Sequence, residues 1–194
     1  MSTKAEVQAQ IAALFPDNLS RKISPEDLRD VTLNMLDVTA TQELVGEEFA
    51  PQVPAGLDLP LQITFGPDQL GDPDVTIAAD GTVTFLTPGQ YRYDLKLYVT
   101  RTTVVGEANI LVRGLINGVQ FGNPVGMVLA DANTTSPLLL DGILLIGAAD
   151  VPLAYTAEIV RDSSGIDNGG LTGITTLVGW GNTPSARIQI VKEV

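Results

Sequence analysis

The chain has 194 residues, of which 44% are hydrophobic, and a formal net charge of −12. That is enough apolar material for one domain with an appendage, or for two small domains, and too much for a chain disordered throughout. The absence of Cys and His excludes disulfides, thiolate–zinc sites, cysteine nucleophiles and histidine triads, and the acidic balance argues against nucleic acid or an anionic membrane surface, which need clustered Lys and Arg.

Residues 1–45 carry a helical period. Thr3 and Glu6 form a capping box, and Val7, Ile11, Leu14 and Phe15 then recur at helical spacing. Pro16-Asp17-Asn18 stops this helix. Ser24 caps a second one, Pro25 takes its first position, and Glu26 and Asp27 suit its positive end. Leu28, Val31, Met35 and Val38 form its apolar stripe, with Leu36 on the flank. Two helices this short cannot bury both stripes against each other. The segment therefore reads as a docking arm, with Leu14, Phe15, Leu28, Val31 and Met35 as its apolar anchors. No signal-peptide core precedes it, and the lack of Cys fits a cytosolic origin, so a soluble, non-exported protein is expected.

Residues 46–60 read as a linker, with Gly46, Pro51, Pro54, Gly56 and Pro60 beside Glu47 and Glu48. From Leu61 to Val194 the period is two. Leu61 to Phe65 alternates. Val75–Ile77 and Val83–Phe85 flank Asp80-Gly81, a hairpin signal. A long strand runs from Tyr91 to Val99. Ala108 to Arg113, Leu115-Ile116, Val119 to Phe121, Val125 to Leu129, Leu138 to Ile146 and Leu153 to Val160 follow, and Thr172 to Val178 and Ala186 to Val191 close the chain. Many short strands separated by turn residues give a sandwich or barrel, and the need to hide sheet edges at this size favours a jelly-roll β-sandwich. The longest apolar run, Leu138 to Ile146, is too short to cross a bilayer as a helix.

Few residues suggest chemistry. Asp162 to Asn168 groups oxygen ligands in a turn, as calcium would require, but it lacks the EF-hand spacing, and a solvated loop is the simpler reading. Asp72, Asp74 and Asp80 could supply an acid pair for glycoside hydrolysis, though nothing marks a cleft. Trp180, between two glycines, reads as a core or interface plug rather than a sugar platform. Tyr91 and Tyr93 share one strand face and Tyr98 takes the other. No metal ligand set, phosphate loop or cofactor motif is present, and no catalytic residue is assigned.

Two stretches resemble known families. Asp80-Gly81 through Gly89-Gln90-Tyr91-Arg92-Tyr93, the Arg113 to Gly118 hairpin and the closing Ala186 to Val191 strand resemble jelly rolls of the tumour-necrosis-factor and complement-head type. That resemblance implies a homotrimer packed about a three-fold axis by one sheet face of each subunit. Leu14-Phe15-Pro16-Asp17-Asn18 followed by Ile23-Ser24-Pro25-Glu26-Asp27-Leu28-Arg29 is similar to a segment that opens tailed-phage virion proteins. Together they imply a non-enzymatic virion structural protein, assembled in the host cytoplasm. The first expectation is a trimeric capsid decoration protein docked on the major capsid protein or another virion protein. A tail fibre or receptor-binding adaptor comes second, and a polysaccharide-degrading enzyme last.

Overall fold

The computed structural model describes residues 9, 42–102, 105–174, 179 and 181–193. The expected helical arm, with Leu14, Phe15, Leu28, Val31 and Met35, lies outside the described residues, as does Trp180.

Eleven strands are present among the described residues: β1 (Gln42–Glu48), β2 (Leu61–Gln62), β3 (Val75–Ile77), β4 (Val83–Phe85), β5 (Gly89–Arg101), β6 (Ala108–Ile116), β7 (Val119–Leu129), β8 (Thr134–Ile146), β9 (Leu153–Arg161), β10 (Gly170–Leu171) and β11 (Ala186–Glu193). Each long strand alternates apolar and polar residues, so one face can be buried and the other wetted. In β9 every odd position from Leu153 to Arg161 is buried and every even one is only partly so.

The strands form two antiparallel sheets. In the first, β11 lies between β1 and β5, and β8 pairs the other edge of β5 along its full length. Short β10 extends the β11 edge at Val99 and Thr100. In the second, β9 lies between β6 on one edge and β4 and β2 on the other, with β3 outside β4 and β7 outside β6. The chain alternates between the sheets in a jelly-roll order, β1-β11-β5-β8 over β4-β9-β6-β7. Leu44, Tyr91, Leu95, Leu97, Ile188 and Ile190 from one sheet meet Phe85, Ile110, Val112 and Ile159 from the other in a single core. Each large side chain buried there stabilises the fold by about 1.5–3 kcal/mol before entropy is counted.

The β domain starts earlier than expected. Gln42–Glu48 is not the end of an arm running into a linker; it pairs with β11 from Lys192 back to Ala186, and Leu44 is fully buried. The stretch after it is also integral. Gln52 is buried, its backbone exchanges hydrogen bonds with Leu171 at 2.9 and 2.8 Å, and its side-chain amide bonds both the N–H and the carbonyl of Thr64. The alternation is hidden in sequence because Glu43 and Glu47 point outward around a lone inward Leu44. Two other expectations also change. Beyond Gln62 the ladder stops, although Ile63 and Phe65 still enter the core. Of the strand expected from Thr172 to Val178, Thr172 to Ile174 lie outside any ladder and residues 175–178 are outside the described residues; a short strand, Gly170–Leu171, precedes them.

Candidate functional site

A two-sheet sandwich has two open margins, and here they differ. At the margin formed by β1 and β3, the segment after Phe65 laces the sheets together. Gly46 pairs with Asp68, and the Gln69 N–H donates to the Val45 carbonyl at 2.9 Å. A side chain at Gly46 would stand 2.6 Å from Ile77, so only hydrogen fits where the two layers meet. Lys192 of β11 donates to Asp74 at 2.7 Å and to Thr87 at 2.8 Å, and its ammonium lies over the Tyr91 ring. Hydrogen bonds to Asp74 raise the Lys192 pKa against the opposing effect of burial. Burial pushes the Tyr91 hydroxyl up while it donates to the Thr87 carbonyl at 2.9 Å.

The opposite margin, where β7 passes directly into β8, is open. From Val119 to Leu129 there is no charged residue, yet nearly all of the strand is exposed. Val119 is 71% exposed and Val128 60%, while on β8 Leu145 reaches 77% and Leu139 and Ile143 are more than half exposed. Free sheet edges are normally blunted with charge, because unpaired strand backbone invites other chains. Here blunting comes from Pro124, Pro137 and a register shift between Val112 and Gly114 instead. These interrupt strand addition but leave the apolar side chains available. An exposed, largely apolar margin, with Asp141 the one charge on its two strands, is the signature of a contact surface.

The outward face of the first sheet continues this margin. Register sets Leu139 beside Lys96, Asp141 beside Asp94 and Ile143 beside Arg92. Further in, Lys96 stands beside Arg187, which is 3.5 Å from Glu47 across the next strand. The face therefore grades from apolar at β8 to charged at β1.

The residues singled out for chemistry fall apart spatially. In the Asp162 loop, Asp162 accepts from both the N–H and hydroxyl of Ser164, which holds its carboxyl below the usual range, and Asp167 is paired with Arg161 at 2.7 Å. Both carboxylates thus build the turn itself. Asp80 caps the Thr82 N–H and is lowered by that bond, at the tip of the β3–β4 hairpin. Asp72 caps the Asp74 N–H, and burial raises its pKa, while Asp74 holds Lys192. Among the described residues no group of three or more acidic side chains is placed to hold a metal ion. Tyr91 and Tyr93 do share the inward face: Tyr91 is in the core, packed edge-on to Phe85 at 4.8 Å, and Tyr98 lies on the outward face under Lys96. The β7–β8 margin itself was not identified from sequence, although a signal exists in the charge-free run of Val119 to Leu129.

The strand order and the contrast between margins define a jelly-roll sandwich with a free apolar edge. Solved structures share that fold. The chain is similar to Eiger TNF from S. frugiperda at 10% identity and a TM-score of 0.52, covering 79% of this chain and 93% of that one. Murine APRIL is 11% identical, with a TM-score of 0.46 over 79% of this chain and 100% of its own. The globular domain of zebrafish complement 1qA is 12% identical, with a TM-score of 0.39 over 77% and 94%. No family model and no curated protein matches the sequence. At 10% identity the Eiger match speaks for the fold alone.

Proposed function

We propose that the protein is a non-enzymatic structural component of a tailed-phage virion, a homotrimeric jelly-roll head that decorates the capsid and docks through its N-terminal residues. The observation that carries self-assembly is the exposed, largely apolar β7–β8 margin. A three-fold ring requires each subunit to offer one surface to a different surface of its neighbour. The apolar margin and the graded outer face of the first sheet are two such dissimilar surfaces. The virion assignment rests on the resemblance of Leu14 to Asn18 and Ile23 to Arg29 to the opening segment of virion proteins. The non-enzymatic reading rests on the lack of His and Cys and on the commitment of Asp74, Asp80, Asp162 and Asp167 to structural bonds.

Sedimentation equilibrium of the full chain tests the assembly, with a trimer mass expected and a monomer at micromolar concentration refuting it. Virions carrying Leu28→Asp or Val31→Asp test the anchor. The variants should be absent from purified particles while the full-length variant chains keep the wild-type melting transition. Immunogold labelling on the tail instead of the head would move the protein to the tail-fibre reading.

A further inference from the structure

The chain contains two Asn-Gly pairs, Asn117-Gly118 and Asn168-Gly169, and the fold treats them differently. Before glycine, an asparagine side chain is open to attack by its own backbone. The glycine nitrogen, deprotonated by hydroxide, adds to the amide carbon, and no Cβ on the next residue obstructs it. The reaction needs a glycine nitrogen that water reaches, a side-chain amide free to leave and a peptide link free to rotate. Asn117-Gly118 meets these conditions. It is the two-residue tip between β6 and β7, with φ of 49° and 78°, the left-handed pair such a loop requires. Both residues are exposed, and a Cβ at Gly118 would meet nothing within 4 Å. Among the described residues no backbone hydrogen bond engages the Gly118 N–H. The Asn117 N–H donates to the Ala154 carbonyl at 2.8 Å, and the Ala154 N–H donates back to Asn117 Oδ1 at 3.1 Å. That second donor supports the negative charge that develops on Oδ1 during attack, and Nδ2 is left without a partner among the described residues.

Asn168-Gly169 fails them. Gly169 is buried, and a Cβ there would stand 3.0 Å from Ile110 and 3.1 Å from the Thr100 carbonyl. The Gly169 carbonyl accepts from Arg161 at 2.8 Å, and the Asn168 N–H donates to the Ile166 carbonyl at 2.8 Å. Asn168 Oδ1 accepts from the Thr102 N–H at 2.9 Å and from its hydroxyl at 3.1 Å, while Nδ2 donates to that hydroxyl at 2.9 Å. Oδ1 is polarised here too, but the leaving amide is tied down, and the glycine can neither meet hydroxide nor swing. Asn109, Asn123, Asn133 and Asn182 precede Ile, Pro, Thr and Thr. Their neighbours hinder the attack by bulk or, for proline, lack the N–H it uses.

We propose that Asn117 is a site of spontaneous deamidation selected by the fold, and that Asn168 is protected from it. The Gly118 nitrogen bonds to Asn117 Cγ, the Cγ–Nδ2 bond breaks, and the amide leaves as ammonia with the proton that Gly118 gave up. Water then opens the cyclic imide. Addition at Cγ gives aspartate. Addition at the backbone carbonyl gives isoaspartate, whose chain runs through Cβ and lengthens the loop by one atom. Either product places a negative charge next to Val119, which is 71% exposed, at the start of a strand that carries none.

The test is peptide mapping by mass spectrometry of the full chain, held folded in mildly alkaline buffer beside a sample unfolded in urea. In the folded chain the Asn117 peptide should gain about 1 Da and split into aspartate and isoaspartate forms. It should do so at least about tenfold faster than the Asn168 peptide. In urea the two peptides should react within about twofold of each other, because only the fold distinguishes them. Equal rates at the two sites in the folded chain overturn the proposal, as does a folded Asn117 that stays intact while the unfolded chain reacts. A tenfold difference that persists in urea also overturns it, since neighbouring sequence and not the fold would then select the site.

Discussion

The two margins of this sandwich solve one geometric problem in opposite ways. At the β1–β3 margin, close backbone approach, a bridged loop and the Lys192–Asp74 pair seal the gap between sheets from within the chain. At the β7–β8 margin the gap stays open, the strands carry almost no charge, and large apolar side chains face outward. The sealed margin is closed by contacts made inside the subunit, although Asp72 Oδ2 there is buried without a hydrogen-bond partner among the described residues. The open one leaves a row of large apolar side chains exposed, the kind of surface that another molecule covers. The contrast separates stability from function: substitutions at the sealed margin should unfold the protein, and those at the open margin should change only what it binds.

The largest expected effect is at Gly66, beside the bridge that closes the sealed margin. It has a φ of 66°, and an added Cβ would run into the Glu47 carbonyl. Gly66→Ala combines left-handed strain with a backbone clash and should cost about 4 kcal/mol or more, read by chemical denaturation. A variant as stable as wild type would mean that this loop does not seal the sandwich. Next comes Leu44→Ala, which empties a fully buried site on β1 and should cost about 3 kcal/mol. A cost under about 1 kcal/mol would return β1 to the role of a linker end.

A smaller effect is expected from Lys192→Met, which leaves Asp74 mostly buried without its cation; about 2 kcal/mol should be lost near neutral pH. The sign of the pH dependence follows from the raised pKa values. Tyr91, Tyr93, Tyr155 and Lys192 all hold their protons more tightly when folded than their ordinary values near 10. Their contribution is complete below about pH 10 and is lost as pH rises through the folded values, because the unfolded chain deprotonates first. Thermal melts should therefore fall steeply above about pH 10, and less steeply in Lys192→Met.

The smallest effect on stability should come from the open margin. Val128→Lys and Leu145→Lys place charge where solvent already reaches, so unfolding free energies should stay within about 0.5 kcal/mol of wild type. Sedimentation velocity should nonetheless show the trimer lost. If both variants still associate, the margin is not the contact surface and the comparison above is wrong.

The fold was largely legible because alternation is a local property. Tyr91 to Val99, Ala108 to Arg113, Leu153 to Val160 and Ala186 to Val191 announce themselves by period two, and Asp80-Gly81 marks its own turn. What escaped notice depended on distant partners. Gln42–Glu48 looked like the end of an arm running into a linker because Glu43 and Glu47 face outward and its single leucine needs β11, more than 130 residues away, to be recognised as core. The packing of Tyr155 on Gly114 and of Tyr93 on Gly142 was hidden for the same reason: both look like ordinary strand glycines until the rings are laid over them.

By itself, the sequence determined the class of the molecule: a β-sandwich rich in turns, acidic, and without histidine or cysteine chemistry. Those conclusions need only composition and short-range period, since side-chain alternation and turn geometry are set by neighbours along the chain. Only the tertiary structure decided which of the strands end as free edges. Edge status belongs to the pairing of the whole sheet, so Val119 to Phe121, Val125 to Leu129 and Leu138 to Ile146 read simply as strands in sequence; in the sandwich they send Leu129, Leu138, Leu144 and Ile146 into the core and leave Val119, Val128, Leu139, Ile143 and Leu145 exposed at the free edge.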